Sequence, residues 1–145
     1  MKSKMVFEDG ERTYVLVFET GDEVVSGVVK FAAENRPGGS HFTAIGALSD
    51  VTLGYFNLEK KGYKKIPMKE QVEVLSLVGN IAINRGRPKP HAHIVVGKSD
   101  GTAHGGHLME AHVRPTLEVV ITELPEHLWR TTDPRTGLAL IDLEM

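Results

Sequence analysis

The stretch Pro90-His-Ala-His-Ile-Val-Val-Gly-Lys-Ser-Asp-Gly-Thr-Ala-His-Gly-Gly-His107 decides how this sequence is read. Its β-branched run is strand-like, and Ser99-Asp100-Gly101 is a turn signal, because glycine accepts a positive φ. In a strand, residues i and i+2 share a face. His91 and His93 therefore project together, roughly 6.5–7 Å apart along the strand. If Ser99-Asp100-Gly101 is a three-residue loop, Lys98 pairs with Thr102, and counting down the ladder sets His107 opposite His93. A two-residue Asp-Gly loop would shift the register by one and turn His107 away. A bulge at Gly105-Gly106 would then restore it. Both geometries bring the same three histidines together.

Three neutral imidazoles fill three positions of a tetrahedral zinc and leave the fourth open. Such a centre suits Lewis-acid chemistry or water activation. Imidazole also suits nickel, copper and iron, so the expected cofactor is zinc or another divalent metal ion. His104 has the opposite parity and reads as exposed or as a supporting partner. His41, His112 and His127 read as ordinary surface or core residues. Glu110 could act as a nearby base, but its parity opposes that of His107.

Outward from this hairpin, one helix stands out. Thr20-Gly-Asp-Glu23 has the capping-box pattern, with Thr20 as the cap and Glu23 reaching back. Val24, Val25, Val28, Phe31 and Ala32 follow at helical spacing, and Arg36-Pro-Gly-Gly39 ends the run. The helix is placed at about 21–35. Everything else reads as strand: Arg12–Glu19, Ser40–Leu48, Asp50–Leu58, Gln71–Asn84, His91–Lys98, Gly106–Val113, Thr116–Leu124 and Leu138–Leu143. A break is expected near Ser49-Asp50. In Gln71–Asn84 the alternation slips, which a β-bulge near Val74–Leu75 would produce. One main helix with seven to eight strands describes an α+β domain on a mostly antiparallel sheet.

The 145 residues fit one domain, 1–145. The chain has no cysteine, which excludes disulfides and thiolate ligands and is compatible with a reducing compartment. No apolar run nears the ~20 residues of a membrane span, and the N-terminal apolar stretch is too short for a signal peptide. The expectation is a cytoplasmic protein with no membrane partner. Seventeen basic against nineteen acidic residues give a net charge of -2, which works against a dedicated nucleic-acid surface but allows a local patch.

Two basic segments remain. Lys60, Lys61, Lys64 and Lys65 read as a solvated turn or edge that resists aggregation. Arg85-Gly86-Arg87-Pro88 spells the core of an AT-hook, which lies in AT-rich minor grooves when the segment is extended and mobile. Here it sits between Ile81–Asn84 and the histidine strand, with only Lys89 as a basic flank, so it reads as a loop. Arg85, Arg87 and Lys89 are nevertheless the candidate contacts for DNA or for an anion, with Arg87 the one aimed at an anionic ligand near the metal.

Taken in order, Gly46-Ala-Leu-Ser-Asp-Val-Thr-Leu-Gly54, Glu73-Val-Leu-Ser-Leu-Val-Gly79, Pro90-His-Ala-His93, Gly105-Gly-His-Leu108 and Leu117-Glu-Val-Val-Ile-Thr-Glu123 resemble the plants-and-prokaryotes-conserved (PPC) domain. The resemblance covers about residues 12–124. It implies an α+β fold with antiparallel sheet, a homotrimer, and a metal held at His91, His93 and His107. It also implies a DNA-associated, regulatory role, since the domain accompanies AT-hook segments in plant nuclear proteins and single-domain prokaryotic members carry the DNA-binding label by that association. The same fold group includes acetolactate decarboxylase and a zinc-dependent ester hydrolase with similar three-histidine sites, a fold-level analogy. The reading is therefore a PPC-type metal-binding protein with a three-histidine zinc site and a DNA-associated role. Its expected partners are itself, DNA and a small anionic ligand at the metal. The alternative is a zinc-dependent lyase or hydrolase acting on a small carbonyl or carboxylate compound. No serine-triad order or nucleophile elbow, and no phosphate-cradling glycine loop, competes with these readings.

Overall fold

Alternation sets the first paired element: β2 (Arg12–Glu19) buries Tyr14, Leu16 and Phe18 on one face. The computed structural model, which describes residues 1–145, pairs β2 with β1 (Lys2–Glu8) on one edge. All seven residues of β1 are exposed, so it has no burial pattern to read, and the sequence reading missed it.

The helix α1 (Val24–Asn35) starts three residues later than expected and is capped by Glu23, not Thr20. The Glu23 carboxylate accepts from the backbone N–H groups of Val25 at 3.0 Å and Ser26 at 2.6 Å, satisfying donors the first turn leaves open. Residues 21 and 22 stay outside the helix because they have better partners elsewhere. Gly21 N–H donates to Val113 O at 2.9 Å, and Val113 N–H donates to Asp22 O at 3.0 Å. Arg36 closes the helix in the left-handed conformation, φ 49. The buried stripe Val24, Val28, Phe31 and Ala32 packs against the sheet at β6 (Arg87–Gly97) and β7 (Ala103–Glu123).

Two long strands replace four expected ones. β3 (Gly39–Asn57) passes Ser49-Asp50 without a break, because bulges absorb the bend: its register against β7 shifts between Gly46 and Leu48, and again between Leu48 and Asp50. β7 likewise runs through Pro115, whose exposure asks for no ladder donor there. β4 (Gly62–Met68) pairs with the far end of β3. β5 (Val72–Asn84) carries the expected bulge, with its register against β6 shifting between Val74 and Ser76. A last hairpin, β8 (Trp129–Thr132) and β9 (Ala139–Asp142), joins the end of β5 in parallel. β9 matches an expected strand and β8 does not. One helix and nine strands in a mostly antiparallel sheet result.

The pairing of β3 with β5, β5 with β6, β6 with β7 and β7 with β3 forms a closed circuit. Its inner face holds the apolar core. The place where β6 and β7 part company is where the histidines sit.

Candidate metal centre

The β6–β7 turn is the three-residue loop. Lys98 N–H donates to Thr102 O at 2.9 Å and Gly101 N–H donates to Lys98 O at 2.9 Å, with Gly101 at φ +82. Asp100 Oδ1 accepts from Thr102 N–H at 2.9 Å. The ladder then sets His93 opposite His107 with no slip, so no bulge at Gly105-Gly106 is needed. Ala92, Ile94 and Val96 are buried in the core, which fixes His91 and His93 on the other face.

His93–His107 is the last pair of that ladder. Beyond it β7 turns to β3, pairing His107 with Gly54 and Leu108 with Leu53, and a fork opens beside His91. Two glycines permit this geometry. A Cβ on Gly106 would lie 2.9 Å from Gly54 O, and one on Gly54 would lie 2.8 Å from Tyr63 Cδ1. The Tyr63 ring thus lies over His107, with ring centroids 4.8 Å apart.

The three imidazole rings are mutually 5.2, 5.1 and 5.6 Å apart by centroid. One ligand atom from each lies within 4.8 Å of the others, and no fourth metal-ligating side chain joins the group. His91 and His107 are half-buried and His93 is exposed. Burial pushes the His107 imidazole down to about 4, helped by the charges of His91, His93 and Lys89. Burial, then Arg130, also lowers His91. Both rings are therefore neutral at pH 7, with a lone pair to give.

These residues fit a metal ion. His107 Nδ1 is buried with no hydrogen-bond partner, an unmet group of the kind that calls for a missing ligand. Three nitrogens converging from two strands are the donor set of an open zinc site.

A cavity of about 150 Å³ opens beside the histidines and is lined by Tyr63, Lys89, His91, His107 and Arg130, together with Leu138–Leu140. Of the three candidate anion contacts, Lys89 lines it and Arg85 and Arg87 do not. Arg85 and Gly86 form a tight two-residue turn, φ 51 and 75, with Asn84 paired to Arg87. The AT-hook look-alike is thus a hairpin turn and not an extended arm. His104 is exposed, with Nε2 3.3 Å from Thr102 Oγ1, and Glu110 is exposed outside the group. His41 and His127 are exposed as well. His112 is held by Asp50, Nδ1 to Oδ1 2.8 Å. The sequence reading missed Arg130, Tyr63 and Asn80. Their signal was weak: Arg130 and Tyr63 arrive from strands remote in sequence from the histidines, and Asn80, paired with His91 across the β5–β6 hairpin, acquires its role only through Arg130.

Fold and site together define a class: a small, mostly antiparallel α+β domain with a three-histidine cluster at a fork between strands. Known proteins share the fold. A candidate DNA-binding protein from Bacteroides thetaiotaomicron has 30% identity and a TM-score of 0.90, over 99% of each chain. A metal-containing protein from Archaeoglobus fulgidus has 37% identity and a TM-score of 0.84, over 97% of this chain and 99% of that one. The curated bifunctional protein GlmU of Synechococcus sp. is 27% identical over 136 residues, and the chain spans only 21% of its length. The family model of the Plants and Prokaryotes Conserved (PCC) domain matches residues 5–125. The chain belongs to this family, the one its motifs resemble. No helix is long and apolar enough to cross a membrane.

Proposed function

We propose that this chain is a single-domain, cytoplasmic, metal-dependent protein in which His91, His93 and His107 hold one divalent ion, with zinc the best fit to the donor set. On this reading it acts on, or senses, a small carbonyl or carboxylate compound. The observation that carries the reading is the convergence of three imidazoles, with no fourth ligand, beside a cavity lined by His91 and His107. The ion would supply Lewis acidity at its open position. The chain's own residues would do the rest: Tyr63 and the apolar Leu138–Leu140 wall exclude water, and Lys89 and Arg130 attract negative charge. The metal content of the Archaeoglobus relative supports the same view. Elemental analysis of the purified protein is expected to find about one ion per chain, and His93→Ala to hold almost none. Equal metal content in the two proteins would refute the assignment.

The homotrimer implied by the family resemblance is part of the proposal. Cross-strand pairing puts Ile45, Val78, Val95 and Val120 on the same face as His93, and they are 62%, 51%, 39% and 43% exposed. Such an apolar face is what an interface between copies covers. Sedimentation at micromolar concentration tests it, and a monomer would end this part.

A second reading, regulation through DNA contact, is favoured by the Bacteroides relative and by exposed Lys60, Lys61, Lys64, Lys65, Arg85 and Arg87. Binding of labelled duplex that weakens steeply with salt supports it. Absence of binding at low salt removes it.

A further inference from the structure

Arg130 is the one buried cation, 6% exposed. β8 pairs with the end of β5 at Asn84↔Arg130, and the guanidinium lines the same cavity as His91 and His107. Nη2 donates to Asn80 Oδ1, and Nη1 donates to Ala139 O at 3.0 Å. Nε is buried and has no partner. No carboxylate lies within ion-pairing distance of it, unlike Arg12, which pairs with Glu123.

A guanidinium does not shed its proton in a protein, and a buried charge without a counter-ion is costly. Here the charge faces a cavity that also holds Lys89 and the imidazoles of His91 and His107. All the charge at the wall is positive, so the missing partner is an anion. Asn80 and Ala139 hold the fork fixed and leave N–H groups free, which is the preorganised arrangement that reads a planar carboxylate. The cavity, about 150 Å³, holds roughly five waters at about 30 Å³ each, so the ligand has only a few carbons.

We propose that this cavity binds a small 2-hydroxy or 2-oxo carboxylate, with its carboxylate on Arg130 and its second oxygen toward the three histidines. Lys89 adds charge at the mouth. The histidine end rests on the metal reading above. The Arg130 end does not, and it lies beyond residues 5–125 that the family model matches. It is the contribution of the C-terminal hairpin, β8 and β9, to the cavity.

The test is calorimetric titration of the wild-type protein, metal content measured first, with L-lactate, glycolate and pyruvate and with the neutral lactamide. At least one acid is expected to bind about tenfold or more tighter than the amide, the step a charged hydrogen bond supplies. Arg130→Gln is expected to lose that preference while keeping its metal, and Arg130→Lys to recover it only in part. Equal binding of acid and amide, no binding by any of the three acids, or an Arg130→Gln protein that still prefers the acid overturns the proposal. So does inorganic phosphate displacing lactate at equal concentration, which would make the site one for any anion. If Arg130→Gln does not fold, the acid-against-amide comparison in the wild type decides alone. If the wild type carries no metal, the metal reading fails separately. Arg130 is then judged by whether the metal-free protein still prefers the acid.

Discussion

The β6–β7 and β8–β9 hairpins both line the cavity beside His107, but the fold holds them in different ways. β6 is paired on both edges, with β5 and β7, and buries Ala92, Ile94 and Val96 beneath its histidines. β8 meets the sheet through two parallel pairs, Ile83↔Trp129 and Asn84↔Arg130, and its partner β9 leaves Leu140 41% and Ile141 38% exposed. A one-residue slip of β6 would turn Ile94 to solvent and a histidine into the core, so packing itself enforces the register of the three imidazoles. Arg130 is instead aimed by two hydrogen bonds. Ligands that must meet at one point are set by the core. The group that needs only to offer charge is set from the edge.

The largest expected effect tests that contrast directly. Ile94 is 1% exposed, so Ile94→Ala should cost about 2–5 kcal/mol in urea unfolding. Leu140→Ala on the outer hairpin should stay within about 0.5 kcal/mol. Similar costs at both sites would mean that the two hairpins are equally part of the core, and the contrast would fail.

A smaller effect sharpens it. A Cβ on Gly106 meets the backbone oxygen of Gly54 at 2.9 Å, so Gly106→Ala should cost about 1–3 kcal/mol and lower metal content by prying His107 from the fork. Gly137 turns the outer hairpin at φ +77 with open space around it. Gly137→Ala should cost about 1–2 kcal/mol of backbone strain and leave the metal unchanged. Metal loss in both variants would show that the outer hairpin also positions the imidazoles.

The same contrast explains what the sequence could tell. The histidine hairpin was legible because its information is local. Ser99-Asp100-Gly101 sets the loop, alternation sets the faces, and the β5 bulge at Val74–Leu75 showed as a slip in parity. The Thr20 cap failed because a tertiary interaction, Gly21 and Asp22 bonding to Val113, outcompeted the local pattern. The break expected at Ser49-Asp50 failed, and the strands expected at Gly106–Val113 and Thr116–Leu124 joined, because long strands absorb irregularities as bulges. Arg130 was one basic residue among seventeen. Only its parallel pairing with the end of β5, some 46 positions earlier in the chain by numbering (130 − 84), gives it a role, and nothing local signals that.

The smallest effect concerns two histidines on one strand. His107 is pushed down to about 4, chiefly by burial, while His112 is raised by its hydrogen bond to Asp50. For the metal-free protein the signs differ. His107, and His91 with it, must fold neutral, so their share of stability is present above the ordinary value of 6.5 and is lost as pH falls toward about 4. His112 folds charged, so its share is present below 6.5 and is lost as pH rises through its raised value. Asp50, lowered by the same bond, contributes above 3.8 and loses its share as pH falls through its lowered value. The ion pair therefore acts most fully between 3.8 and 6.5. The two side chains are 38% and 40% exposed, so solvent screening holds the pair to at most about 1 kcal/mol. His112→Ala should lower the urea midpoint of the metal-free protein near pH 5 and leave it nearly unchanged near pH 9. An equal penalty at both values would assign the effect to packing, and His112 would no longer stand as the charged counterpart of His107.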